Sequence, residues 1–206
     1  MTRARDLANR IVRDGSVDTA QLVADAVDNT ILDLTDDYAF TGTIDGAGES
    51  WTKTAQTTTS GASTYTISGL PSDVSEIVVI GNNVDRGTSS SRAVIRLGDS
   101  GGLETTGYSY SPVYTANANS LYQNSMGDKT GLEFALYGDP TNFVCRCWNT
   151  SGNKWMMMLH SHSSSNGGYW VNSGCEKELS ATLDRVGVVD LSGTNFAGGS
   201  FQLWYK

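Results

Sequence analysis

The stretch Arg92–Tyr108, RAVIRLGDSGGLETTGY, sets a short apolar run directly against a cluster of glycines and small polar residues. Arg92–Leu97 has the length and the β-branched content of a buried strand, and Gly98 closes it. Asp99 and Ser100 suit a turn in which a short polar side chain bonds nearby backbone amides, and the neighbouring glycines accept the positive φ that such turns demand. A strand that stops this abruptly predicts a β domain built from short strands and tight turns.

On either side the same grammar repeats. Thr64–Ile67 precedes the turn Gly69-Leu70-Pro71-Ser72, and Glu76–Gly81, EIVVIG, reads as a second buried strand. Further strands are predicted over 132–137, 142–148, 154–160, 178–181, 185–189 and 200–205. Turns at 138–140, 149–153, 166–168 and 198–199 punctuate them, while the Tyr/Ser/Asn-rich stretch after Tyr108 reads as a loop. With strands spaced by roughly 8–12 residues and no alternation of strand and helix, the expectation for residues 51–206 is a jelly-roll-like β-sandwich.

The first fifty residues follow other periods. Leu7 and Ile11 stand four apart among arginines, and Leu22 and Val27 continue a second helical stripe behind a capping Asp18, so residues 1–30 are expected to form two short helices. Helices this short are marginal alone in water and need a surface to pack on, which makes 1–30 a docking segment. From 31 to 50 the period changes to two: Leu32, Leu34, Tyr38, Phe40 and Ile44 share one face, with Asp33, Asp37, Thr41, Thr43 and Asp45 opposite. Such a ribbon cannot cover its own apolar face, so the expectation is a stalk in which three copies cover one another, a homotrimer.

Charge and composition exclude several classes of partner. With 22 acidic against 14 basic residues the net charge is −8, and no basic run exists, so nucleic acid is not an expected partner. No stretch approaches the ~20 apolar residues that span a bilayer, nor does the N-terminus carry an export signal's apolar core, so no membrane insertion is expected. Cys145 and Cys147 share one strand face, as do His160 and His162, but these spacings match no common zinc module and buried free thiols are expected, Cys175 included. Asp99 and Glu104 could offer hard oxygen ligands to calcium, yet no metal or cofactor is expected.

Several segments resemble phage tail-fibre and other virion structural proteins. The leader segments DLANRIV and ILDLTDDYAFTGTIDGAG carry part of the likeness; the rest lies in EIVVIGNNV, RLGDSGGLETTGY, ELSATLDRVGVV and GTNFAGGSFQLWYK, in that order. The resemblance implies a short tail fibre located on the virion exterior and assembled in the host cytoplasm. Its N-terminal part would dock on other virion proteins, and its C-terminal domain would bind a host surface glycan or protein. A head fibre or capsid decoration protein is the alternative. Under the fibre reading Tyr108, Tyr110, Tyr114, Trp155 and Trp170 are the candidates for host contact, because aromatics in loops offer flat faces to sugars or proteins.

GDSGG also surrounds the nucleophile of chymotrypsin-like serine proteases, which makes Ser100 a remote catalytic candidate. That chemistry needs an imidazole to take the serine proton, and in that family the histidine precedes the serine. Here both histidines, His160 and His162, follow Ser100, and no pair of carboxylates stands out for glycoside hydrolysis, so no enzyme is expected.

Overall fold

A computed structural model of the chain describes residues 51–87, 92–116, 120–123, 127–135, 140–163 and 169–206. The expected docking helices, with Leu7, Ile11, Leu22 and Val27, and the expected stalk, with Leu32, Leu34, Tyr38, Phe40 and Ile44, lie outside the described residues.

The first strands are β1 (Thr52–Lys53), β2 (Thr57–Thr58), β3 (Thr64–Ser68), β4 (Glu76–Asp85) and β5 (Ala93–Asp99). Then come β6 (Gly102–Leu103), β7 (Tyr108–Ala116), β8 (Ser120–Gln123), β9 (Gly127–Lys129) and β10 (Leu132–Ala135). The last are β11 (Thr141–Ser151), β12 (Lys154–Ser163), β13 (Tyr169–Glu178), β14 (Arg185–Asp190) and β15 (Gly198–Tyr205). They form a ten-stranded sheet, ordered β1-β15-β4-β11-β12-β13-β7-β8 with β2 also on β15 and β9 also on β7, and a five-stranded sheet, ordered β10-β5-β14-β3 with β6 also on β5.

This corrects the jelly-roll expectation. The fold is mainly β with two partial sheets, one a half-barrel, and no helix occurs among the described residues. A jelly roll shares eight strands between its sheets by long crossings. Here β11, β12 and β13 are instead consecutive antiparallel neighbours, each ten or eleven residues long, and they build the large sheet as a meander. The turn between β11 and β12 shows why: Ser151 pairs with Lys154 across Gly152 at φ 54°, and the Asn149 side-chain Nδ2 donates to the Gly152 carbonyl at 2.7 Å. A two-residue hairpin leaves the chain no length in which to cross to the other sheet.

The two sheets enclose one core. Ile77, Val79, Cys145, Cys147, Trp155, Met157, Leu159 and Leu203 point inward from the large sheet towards Ile95, Leu97, Leu132, Phe134, Val186 and Val188 of the small one. The Phe134 and Phe143 rings meet across the gap, tilted by 37° with centroids 4.3 Å apart. Polar inward residues are paired as well: Ser161 Oγ donates to the Phe134 carbonyl at 2.6 Å, and Ser173 Oγ to the Glu133 carbonyl at 3.4 Å.

The sequence reading also misplaced particular strands. Residues 178–181 do not form the expected strand, and the expected loop after Tyr108 contains β7, β8 and β9. The missed β13 turns Val171, Ser173, Cys175 and Lys177 inward, a mixture too polar to be recognised by hydrophobic alternation.

Candidate functional site

The element Arg96–Tyr108 is a clasp. Asp99 pairs with Gly102 and Gly98 with Leu103, so GDSGG is the turn between β5 and β6. Asp99 Oδ1 accepts from the Gly101 amide at 2.7 Å, and its Oδ2 accepts from Ser180 Oγ at 2.6 Å. Glu104 Oε1 accepts from the Ser180 amide at 2.6 Å and from Ser180 Oγ at 2.9 Å. The buried Lys177 ammonium forms an ion pair with Glu104 and donates to the Glu178 carbonyl at 2.6 Å. The Tyr108 hydroxyl accepts from the Leu97 amide at 2.9 Å.

These donors explain the electrostatics. The Ser180 hydroxyl and then the Gly101 amide hold the Asp99 carboxyl below its ordinary range. Burial raises Glu104, but the bonds from Lys177 and Ser180 outweigh it, so its carboxyl is also lowered. Both carboxylates are thus engaged by hydrogen-bond donors, Glu104 by an ammonium group as well, and no cluster of metal-ligating side chains occurs among the described residues.

Ser100 follows β5 of the small sheet, and its carbonyl accepts from Arg185 at 3.1 Å. His160 and His162 lie on β12 of the large sheet, on the face turned away from the core. The structure does not bring the serine and the imidazoles together. The same alternation separates the thiols from the histidines: Cys145 and Cys147 face inward, with sulfur atoms 3.8 Å apart, and all three cysteines are free and buried. Burial pushes the Cys145 and Cys175 thiols well above their ordinary value, so both stay protonated and inert.

The aromatic candidates separate clearly. Tyr108 and Trp155 are core residues, the first held by its hydroxyl against β5 and the second turned inward between Lys154 and Met156, so neither offers a face to a ligand. Tyr110 and Tyr114 lie on β7 opposite Cys175 and Val171, and their side chains fall outside the described residues. Trp170 is 54% exposed.

Trp170 stands on the rim of a depression of about 570 Å³ in the outer face of the large sheet. Its floor is apolar, from Ile80 on β4 and Val144 on β11, which are direct cross-strand partners. Asn82, Asn142, His160 and His162 line the remainder. The His162 ring lies 4.6 Å from the Trp170 ring. The His160 imidazole bonds Asn172 Oδ1 through Nδ1 at 2.5 Å, and Asn142 Oδ1 accepts from the Asn83 amide at 3.0 Å, so both rim groups are oriented before any ligand arrives. An aromatic face beside oriented amides and imidazoles can stack a flat apolar surface while bonding hydroxyls at its edge.

Below the depression the same face stays apolar, with Met156 40% and Met158 45% exposed. Sequence reasoning named Trp170 and missed this face. The signal was present in Ile77-Val78-Val79-Ile80 and Trp155-Met156-Met157-Met158: consecutive apolar residues on a strand must place some on each side. No family model, curated protein or solved structure matches the chain.

Proposed function

We propose that the chain is a virion structural protein of the phage-fibre type, and that its β domain attaches the particle to the host by binding a surface carbohydrate in the Trp170 depression. The order of the segments from EIVVIGNNV to GTNFAGGSFQLWYK supports the fibre reading. The observation that carries the binding site is Trp170, more than half exposed in a folded domain, with its ring beside His162 and with Asn82, Asn142 and His160 around the same depression. A pyranose ring presents an apolar face to an indole and hydroxyls that both donate and accept, which amides and imidazoles can match.

The test is binding of the full-length protein to an array of bacterial surface oligosaccharides and to host cells. Trp170→Ala is expected to weaken both by about tenfold or more, and Trp170→Phe to retain part of the binding. Unchanged adsorption of Trp170→Ala to host cells would refute the site. Immunogold labelling of particles tests the placement, because label confined to capsid faces would replace host attachment by capsid decoration.

A further inference from the structure

The lower half of the outer sheet face lies beneath the Trp170 depression and differs from it in chemistry. Register defines two rows. One runs Trp204, Val78, Arg146, Met158, Gly174 across β15, β4, β11, β12 and β13; the next runs Glu76, Trp148, Met156, Glu176 from β4 to β13. Exposed methionines on a central strand, flanked by half-buried tryptophans, are costly to leave in water and typical of a protein contact.

The charges on this face indicate which protein covers it. Glu76 is paired with Lys206 at 3.4 Å and Glu178 with Lys154 at 3.7 Å. Arg146 and Glu176 are exposed and have no ion-pair partner among the described residues. Arg146 lies on β11 beside Met158, and Glu176 lies on β13 beside Met156, so they flank the methionine pair on opposite sides, one row apart. A two-fold axis in the plane of contact, passing between the methionines, places Arg146 of each copy opposite Glu176 of the other. Gly174, across from Met158, has no side chain and leaves a hollow that a flexible thioether of the other copy can fill.

We propose that this face pairs with the same face of a second copy of the chain, in a two-fold contact centred on Met156 and Met158. The contact is isologous, and its unpaired charges are complementary to themselves only under that symmetry. Four to five strands by two rows cover about 24 Å by about 14 Å, so both copies together bury on the order of 700 Å², the size of a weak, transient contact. The pairing is therefore expected to be reversible with concentration. It leaves the depression free, since the lining of the depression begins one row above Met158, with Ile80, Val144 and His160, and none of these belongs to either row.

Sedimentation equilibrium of the full-length protein, from low micromolar to near-millimolar concentration, reads the outcome. Wild type is expected to dimerise, and Arg146→Glu or Glu176→Arg alone to weaken the dimer about tenfold or more. The double variant Arg146→Glu/Glu176→Arg is expected to restore it, a rescue that a merely structural role for either residue would not produce. Both side chains are exposed, so the variants are expected to fold, with circular dichroism as the control. A monomer at every concentration, which would leave the face to a different partner, overturns the proposal. So does an assembly, a trimer included, that is indifferent to the single reversals or not rescued by the double one.

Discussion

Asp99, Glu104, Lys177 and Ser180 come from two segments about eighty residues apart, and together they tie the β5–β6 turn to the loop after β13. Both carboxyls are lowered in the folded chain, so the stability they contribute is present above their ordinary values of 3.8 and 4.5 and is lost as pH falls through the lower folded values. Ser180→Ala removes a donor common to both. Its melting temperature is expected to fall below wild type at neutral pH, and the gap to close as the pH drops below the ordinary carboxylate range. A gap that persists at acid pH would mean that Ser180 acts through packing and not through these bonds. Tyr108 belongs to the same scale: its place after a glycine-rich loop suggested exposure, yet its hydroxyl is the group that pins the loop to β5. A phenol that bonds backbone inside the core and a phenol that meets solvent have the same one-letter code, and only the partner distinguishes them.

At the scale of elements, the hairpin β5–β6 depends on absent side chains. A Cβ at Gly98 would lie 2.1 Å from the Gly102 carbonyl oxygen, and a Cβ at Gly187 on β14 would lie 2.3 Å from a Leu103 methyl. The first obstacle is backbone and the second is the end of a side chain. Gly98→Ala is therefore expected to destabilise by about 1–3 kcal/mol or more, with no relief from trimming neighbours. Gly187→Ala is expected to destabilise too, but Leu103→Ala in the same chain should recover part of that loss. Urea denaturation of the single and double variants measures the coupling, and additive losses at Gly187 and Leu103 would contradict the contact. GDSGG was legible as a turn because its constraint is local: short polar side chains and glycines decide turn chemistry within a few residues. β13 was not, because its inward positions include Ser173 and Lys177, which are compatible with the interior only through the Glu133 carbonyl and the Glu104 carboxylate of distant segments.

At the scale of the molecule, β10 is the link between the sheets. It pairs with β5 in the small sheet, while the Phe134 ring packs against Phe143 of the large one and its carbonyl receives Ser161. With one core shared in this way, the β domain is expected to unfold in a single transition, seen at the same denaturant concentration by tryptophan fluorescence and far-ultraviolet circular dichroism. Phe134→Ala is expected to lower the stability by about 3–5 kcal/mol and to move both signals together. Separate transitions for the two probes would show that the sheets do not share one cooperative core.

The sequence alone determined that the described region is mainly β, that a tight turn follows the strand RAVIRL, that the cysteines are buried thiols, and that Ser100 lacks an upstream histidine. Each of these follows from the period of side chains along one strand, the local chemistry of a turn, or the order of residues in the chain. Sheet order required the tertiary structure. Strand periodicity states which residues share a face but not which strands become neighbours, so a meander of long hairpins and a jelly roll could not be separated. The outer face was decided in the same way: Trp170, the histidines, the methionines, Arg146 and Glu176 sit on three different strands, and only lateral pairing of those strands sets them side by side.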